Sequence, residues 1–210
     1  MGIVKLTEED FVRAALRLGE GVEVAAVKAV QEVETGGRGG FFAPGKPAIL
    51  FEGHIFWKRI EKLNFNPEPF RPGNEDILYP TGGRGHYKGG LREYERLEKA
   101  LALAATIGGS TEERHALHGA ALESASWGMF QIMGFNYTYC GYRNVWAFVE
   151  AMKTGEGAQL DAFVSYILRR KLAEPLKQKR WAVFAEAYNG LDYKVFRYDE
   201  KLQQAYEKYG

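Results

Sequence analysis

Two glutamates stand where side-chain acid–base chemistry would need them. Glu34 closes a helical stretch in "QEVETGGRGGFF", with Thr35 and two glycines directly behind it. A carboxylate there faces the negative end of the helix dipole, a place chains usually give to Lys or Arg. Phe41 and Phe42 follow closely, so dipole and desolvation both favour the protonated carboxyl. A carboxyl that holds its proton near neutral pH is what a general acid needs. The glycines leave room for a ligand to come close, although at a frayed, solvated helix end the same residue would be inert. Glu52 in "ILFEGHIFWK" follows an apolar run and precedes Gly53 and His54, so it either projects from the end of a strand or caps the next helix. Two carboxyls across a cleft, one acid and one base or nucleophile, are the equipment of glycoside hydrolysis.

The stretch "ASWGMFQIMGFNY" has the composition of a wall for such a cleft. Trp127, Met129, Phe130, Ile132 and Met133 would suit a core, but Gly128, Gln131, Gly134 and Asn136 interrupt the apolar face. Stacking surface, backbone access and amide donors together suit a sugar better than a sealed interior. In "FAEAYNG", Tyr188 and Asn189 fall at a helix end before Gly190, which by itself describes a helix cap. Other chemistries find no support. His54, His86, His115 and His118 lack metal-ligand spacing except in "HALH", which has no carboxylate in register. "GGRGHYKGG" matches no phosphate-binding loop, and Cys140 has no basic neighbour to activate it. Neither a metal nor another cofactor is expected.

Positioning these residues falls to a mostly helical chain. Thr7 with Asp10 opens "EEDFVRAALRL", which stops at Gly19, and "VEVAAVKAVQEVE" carries small or apolar residues at the spacing of one buried helix face. Gly36 and Gly37 end that helix. "GGFFAPGKPAILFE" has two β-prone runs around a Pro-Gly turn, which predicts a hairpin over 38–52. "GHIFWKRIEKL" returns to helix, and the Pro- and Gly-rich segment 64–90 predicts a long irregular loop, functional or mobile. Further helices are expected over 91–107, 111–123 (capped by Ser110 with Glu113), 142–154, 157–171 and 178–189, with one more closing the chain. No linker or repeat divides residues 1–210, so a single mainly α (α+β) domain is expected.

Bulk composition narrows the function classes. With 46% hydrophobic and 14% aromatic residues the chain can build a core and is not of disordered type. Charges of 28 basic against 27 acidic residues leave no field that would draw in nucleic acid, and "ILRRKLAEPLKQKR" fits a solvated helix face. Cys140 is the sole cysteine, so no intrachain disulfide forms. "MGIVKLTEEDF" lacks the pattern of a signal peptide, and apolar runs such as "LALAATI" are too short for a bilayer. Synthesis in the cytoplasm, no stable membrane anchor and a monomeric state are expected.

The ordered set "VETGG", "SWGMFQIMG" and "AYNG" resembles the lysozyme-like superfamily. Goose-type lysozymes and lytic transglycosylases there carry a helix-ending Glu-Ser, a Gly-Leu-Met-Gln and an Ala-Tyr-Asn segment in that order. "ILFEGHIFWKRI", "SWGMFQIMGFNY" and "YDEKLQQAY" are more narrowly similar to the N-acetylmuramidase family of phage endolysins and prophage proteins, over nearly the whole chain. The resemblance implies a lysozyme-like helical domain with a small β-hairpin lobe. Its substrate would be the peptidoglycan glycan chain, cut at the β-1,4 bond between N-acetylmuramic acid and N-acetylglucosamine. Glu34 would be the catalytic acid; the resemblance does not fix a second carboxylate, since lytic transglycosylases manage with one, and Glu52 is taken as the partner from its own place in the sequence. Gly128, Met129, Phe130 and Gln131 would line the glycan cleft, Tyr188 and Asn189 would face the acid, and His54 and Tyr137 would add sugar contacts. Thr35 stands where many relatives have serine, and Phe130 where transglycosylases usually have methionine; neither change removes a group the acid needs. Such an enzyme acts on the cell wall after release, through a holin pore if made in the cytoplasm. Two alternatives stay open at this point: a lytic transglycosylase using Glu34 alone, and a non-catalytic wall-binding protein on the same fold.

Overall fold

The structure is a computed structural model that describes residues 2–36 and 39–210. Among these residues ten α-helices make up a mainly helical fold with small antiparallel sheets, in agreement with the expected class.

Helix α1 (Glu8–Leu18) starts as expected: the Thr7 hydroxyl accepts from the Asp10 N–H while the Asp10 carboxylate accepts from the Thr7 N–H. Helix α2 (Val24–Thr35) is the axis of the fold. Val27, Ala29 and Val30 are fully buried and Ala26 nearly so. The short alanines let α1 pack along α2. At its end the Thr35 hydroxyl donates to Gln31 O at 2.9 Å, and Gly36 takes a left-handed φ of 54°.

The hairpin expected over 38–52 is smaller than its sequence suggests. Strands β1 (Phe41–Ala43) and β2 (Lys46–Pro47) pair antiparallel around Pro44–Gly45, and Arg38 lies outside the described residues. The next run, β3 (Ile49–Phe51), leaves the hairpin. It carries Ile49 and Phe51, both buried, and runs straight into α3 (Gly53–Lys62). After α4 (Arg92–Ile107) and α5 (Thr111–Glu123), β4 (Ala125–Trp127) pairs antiparallel with β3, and β5 (Ile132–Met133) with β4. An apolar strand too short to fold on a hairpin alone thus buries itself in a second, three-stranded sheet.

The rest of the chain is helical. α6 (Val145–Thr154) starts three residues later than expected, because the Asn144 side chain accepts from the Ala147 N–H at 2.8 Å and caps it there. α7 (Glu156–Arg169) packs along α1. The unexpected short α8 (Ala173–Lys177) precedes α9 (Trp181–Asn189), and α10 (Tyr198–Tyr209) lies along α2. Segment 64–90 is irregular but packed, with Ile77, Leu78 and Tyr79 buried.

A buried ion pair on α4 fastens that segment to the sheet. Glu93 and Arg96 are both 0% exposed. The Glu93 carboxylate accepts from the backbone N–H groups of Phe51, Lys88 and Gly89 and from Arg96. Arg96 in turn donates to the carbonyls of Phe51 and Asp76. Every charge is met by partners, the condition under which such a pair can stay buried. The end of β3, and with it Glu52, is therefore held against both the middle and the end of the irregular segment.

Candidate active site

Two adjoining cavities share Glu34, Leu50 and Gln131 and form one cleft between the helices and the β structure. One half, about 500 Å³, is lined by Phe41 and Phe42 of the hairpin, by Gly89 and Gly90, and by Gly128 and Met129. The other, about 440 Å³, holds Glu52, Phe130, Asn136, Tyr188 and Asn189. Glu34 sits where the halves meet. A larger groove of about 820 Å³ lies between α2 and α10 and is crossed by the surface pair Glu32–Lys208.

The last turn of α2 carries no basic residue and delivers Glu34 into the cleft. Asn189, at the end of α9, donates from Nδ2 to Glu34 Oε1 at 3.0 Å. Although the residue as a whole keeps some access to the cleft, protein packs around its carboxyl. Burial pushes that carboxyl up to about 7, against the weaker pull of the Asn189 hydrogen bond. The other amide atom, Asn189 Oδ1, is buried and has no hydrogen-bond partner among the described residues. Such an acceptor is poised for a ligand N–H or O–H. The Tyr188 hydroxyl donates to Phe130 O at 3.0 Å, and burial, then the proximity of Glu34, pushes the phenol well up, so it stays neutral.

The segment from Gly128 to Gln131 forms the wall, held from behind. Gly128 has φ 72°, and a Cβ there would come within 2.7 Å of the Gln159 amide carbon. Gln159, buried on α7, accepts from the Met129 N–H at 2.7 Å and donates to Gly40 O. The ring of Phe130 stacks on Phe163 at 4.2 Å, so this residue serves core and cleft together. Gln131 takes a positive φ of 46°. Its amide donates to Gly128 O and Ala48 O and accepts from the Ser126 hydroxyl at 2.8 Å. Gln131 thus braces the strands at the point where it faces the cavity.

Two expected sugar contacts are not on the cleft surface. Tyr137 follows the tight turn of residues 134–136 and packs half-buried against the core, while its neighbour Asn136 lines the cavity instead. His54, in the first turn of α3, stands behind Glu52: its Nδ1 lies 3.4 Å from Glu52 Oε2, and it lines neither half of the cleft.

Sequence reasoning overlooked Tyr87, whose hydroxyl donates to Glu52 Oε1 at 2.8 Å. Its surroundings, "GRGHYKGG", gave only a glycine-rich signal. Burial raises the Glu52 carboxyl, opposed first by the Tyr87 hydrogen bond and then by Arg96. The site therefore holds two carboxyls in one cleft, one of them about half protonated at neutral pH. Among the described residues no group of three or more His, Cys, Asp or Glu side chains is arranged to hold a metal ion.

Comparison with known proteins bears on this geometry. The sequence model described as N-acetylmuramidase matches residues 23–210. Among solved structures, the crystal structure of Burkholderia AP3 phage endolysin matches with a TM-score of 0.80 at 40% sequence identity, over 98% of this chain and 71% of that one. No curated protein matches.

Proposed function

The chain belongs to the N-acetylmuramidase family, a family of peptidoglycan-hydrolysing glycosidases, and from that premise we propose that Glu34 and Glu52 divide its chemistry as acid and base. The glycan chain lies along the two halves of the cleft. Glu34 gives its proton to the glycosidic oxygen that follows N-acetylmuramic acid, and the bond from the sugar's C1 to that oxygen breaks. Water adds to C1 and yields its proton to Glu52, leaving a reducing N-acetylmuramic acid end. The observation that carries this assignment is the Glu34 carboxyl, desolvated at the junction of the two halves and held by Asn189.

Gly128, Met129, Phe130 and Gln131 supply the wall, and Asn189 Oδ1 supplies an acceptor for a sugar hydroxyl or acetamido N–H. An enzyme of this kind acts on the cell wall, and no helix among the described residues is long and apolar enough to cross a membrane. Action as a monomer, synthesis in the cytoplasm and release through a holin pore during a phage or prophage cycle belong to the same proposal.

Mass analysis of purified peptidoglycan digested by the protein tests the chemistry. Fragments with reducing N-acetylmuramic acid ends are expected, labelled at C1 when the digest is run in ¹⁸O water. Fragments lighter by one water, the anhydro product of a transglycosylase, would contradict it.

A further inference from the structure

The second carboxylate has a fixed setting of its own. Tyr87 reaches from the end of the irregular segment and donates to Glu52 Oε1 at 2.8 Å. On the other side His54 Nδ1 lies 3.4 Å from Glu52 Oε2. Neither of those two atoms has a hydrogen-bond partner among the described residues, and both are buried. One acceptor and one ring nitrogen facing each other in this way are relieved together when Nδ1 carries the ring's proton.

Both neighbours are themselves held. The Arg96 guanidinium lies 5.9 Å from the Tyr87 ring centre, and Glu93 accepts from the Lys88 and Gly89 N–H groups directly after Tyr87. The His54 ring lies against Tyr79, which stacks on His86 at 3.8 Å.

We propose that Tyr87 and His54 are positioning residues for Glu52: the Tyr87 hydroxyl holds one carboxylate oxygen and the His54 ring, turned so that its Nδ1–H meets the unpartnered Oε2, holds the other, which fixes the plane of the group and keeps it ionised. It takes Glu52 as the base proposed above. An ionised base must lose its proton below the working pH, and a half-buried carboxyl resists that loss. Two donors counter the resistance, as charge-assisted hydrogen bonds do. The other groups acting on Glu52 are Arg96, which favours its ionised form, and Glu93, which opposes it, both from α4. Tyr79 feels its charge, Lys58 acts on His54 from α3, and Glu34 stands across the cavity. Arg96 and Glu93 are bound to each other, which leaves the Tyr87 hydroxyl as the donor on the carboxylate and the His54 ring as the polar group nearest its other oxygen.

The test is the pH profile of kcat and KM on solubilised peptidoglycan for the parent, Tyr87→Phe, His54→Ala, His54→Asn and Glu52→Gln, with circular dichroism to check folding. In Tyr87→Phe and His54→Ala the ascending limb of kcat is expected about one pH unit higher, with KM within about twofold of the parent. The descending limb, set by Glu34, should stay in place. His54→Asn, which keeps an N–H near the Nδ1 position, should restore the limb toward the parent's. A folded variant with reduced kcat but an ascending limb at the parent's pH would overturn the proposal for that residue, since a merely structural part gives that pattern. If instead Glu52→Gln keeps both near-parent turnover and the ascending limb, Glu52 is not the base, and the assignment of acid and base fails rather than the positioning alone.

Discussion

Glu34→Gln is expected to lower turnover on peptidoglycan by at least about 100-fold, the low end of what a positioned acid contributes. The substitution is nearly isosteric, and the new amide oxygen can still accept from Asn189, so the cleft keeps its shape. What is lost is the transferable proton. The same change should make the protein more stable in alkali. The folded-state carboxyl titrates at about 7 against 4.5 for an unperturbed glutamate, so folding favours its protonated form. That contribution is complete below the unfolded value and is lost as pH rises through the folded one, amounting to roughly 3 kcal/mol. Glu34→Gln should therefore unfold at a higher temperature than the parent near pH 8 and at a similar one near pH 4. Near-full activity, or equal stability at both ends of the range, would count against a desolvated acid at this position.

The second large effect is expected at Glu52. If water is activated there, Glu52→Gln should also lose at least about 100-fold in turnover, with little change in KM because the wall and the acid are untouched. The variant retains an oxygen for the Tyr87 hydroxyl, and the strand end remains clamped by Glu93 and Arg96. Turnover close to the parent's, with a product lighter by one water, would mean that Glu34 works alone.

Much of the local structure around the candidate site could be read from sequence because its signals are local. The dipole-opposed Glu34, the glycine that ends its helix and the capping boxes at Thr7 and Ser110 each depend on residues within a few positions. Pairing of β3 with β4 could not be read in this way: the partners are three-residue strands more than seventy positions apart, too short for alternation to show. His54 and Tyr137 lie off the cleft surface for a related reason. Tyr137 follows Asn136 and His54 stands two residues after Glu52, both of which line the cleft, and a step or two along a helix or tight turn points a side chain elsewhere.

Glu93 and Arg96 left a trace that was available. The buried stripe of α4 runs through Leu97, Ala100, Ala104 and Ile107, and extended one turn toward the N-terminus it passes through these two charges. Charged residues on an apolar stripe must find each other or the backbone. Here they find both, and by holding the segment that carries Tyr87 they connect α4 to the chemistry at Glu52.

The most direct measurement is a ¹³C NMR titration of the Glu34 side-chain carboxyl in the parent protein, with its resonance assigned by its absence from Glu34→Gln. A midpoint at about 7 is predicted, with the carboxyl half protonated at neutral pH. A midpoint at or below about 4.5, the ordinary value for a solvated glutamate, would contradict the account, because no acid would then be held ready for the glycosidic oxygen.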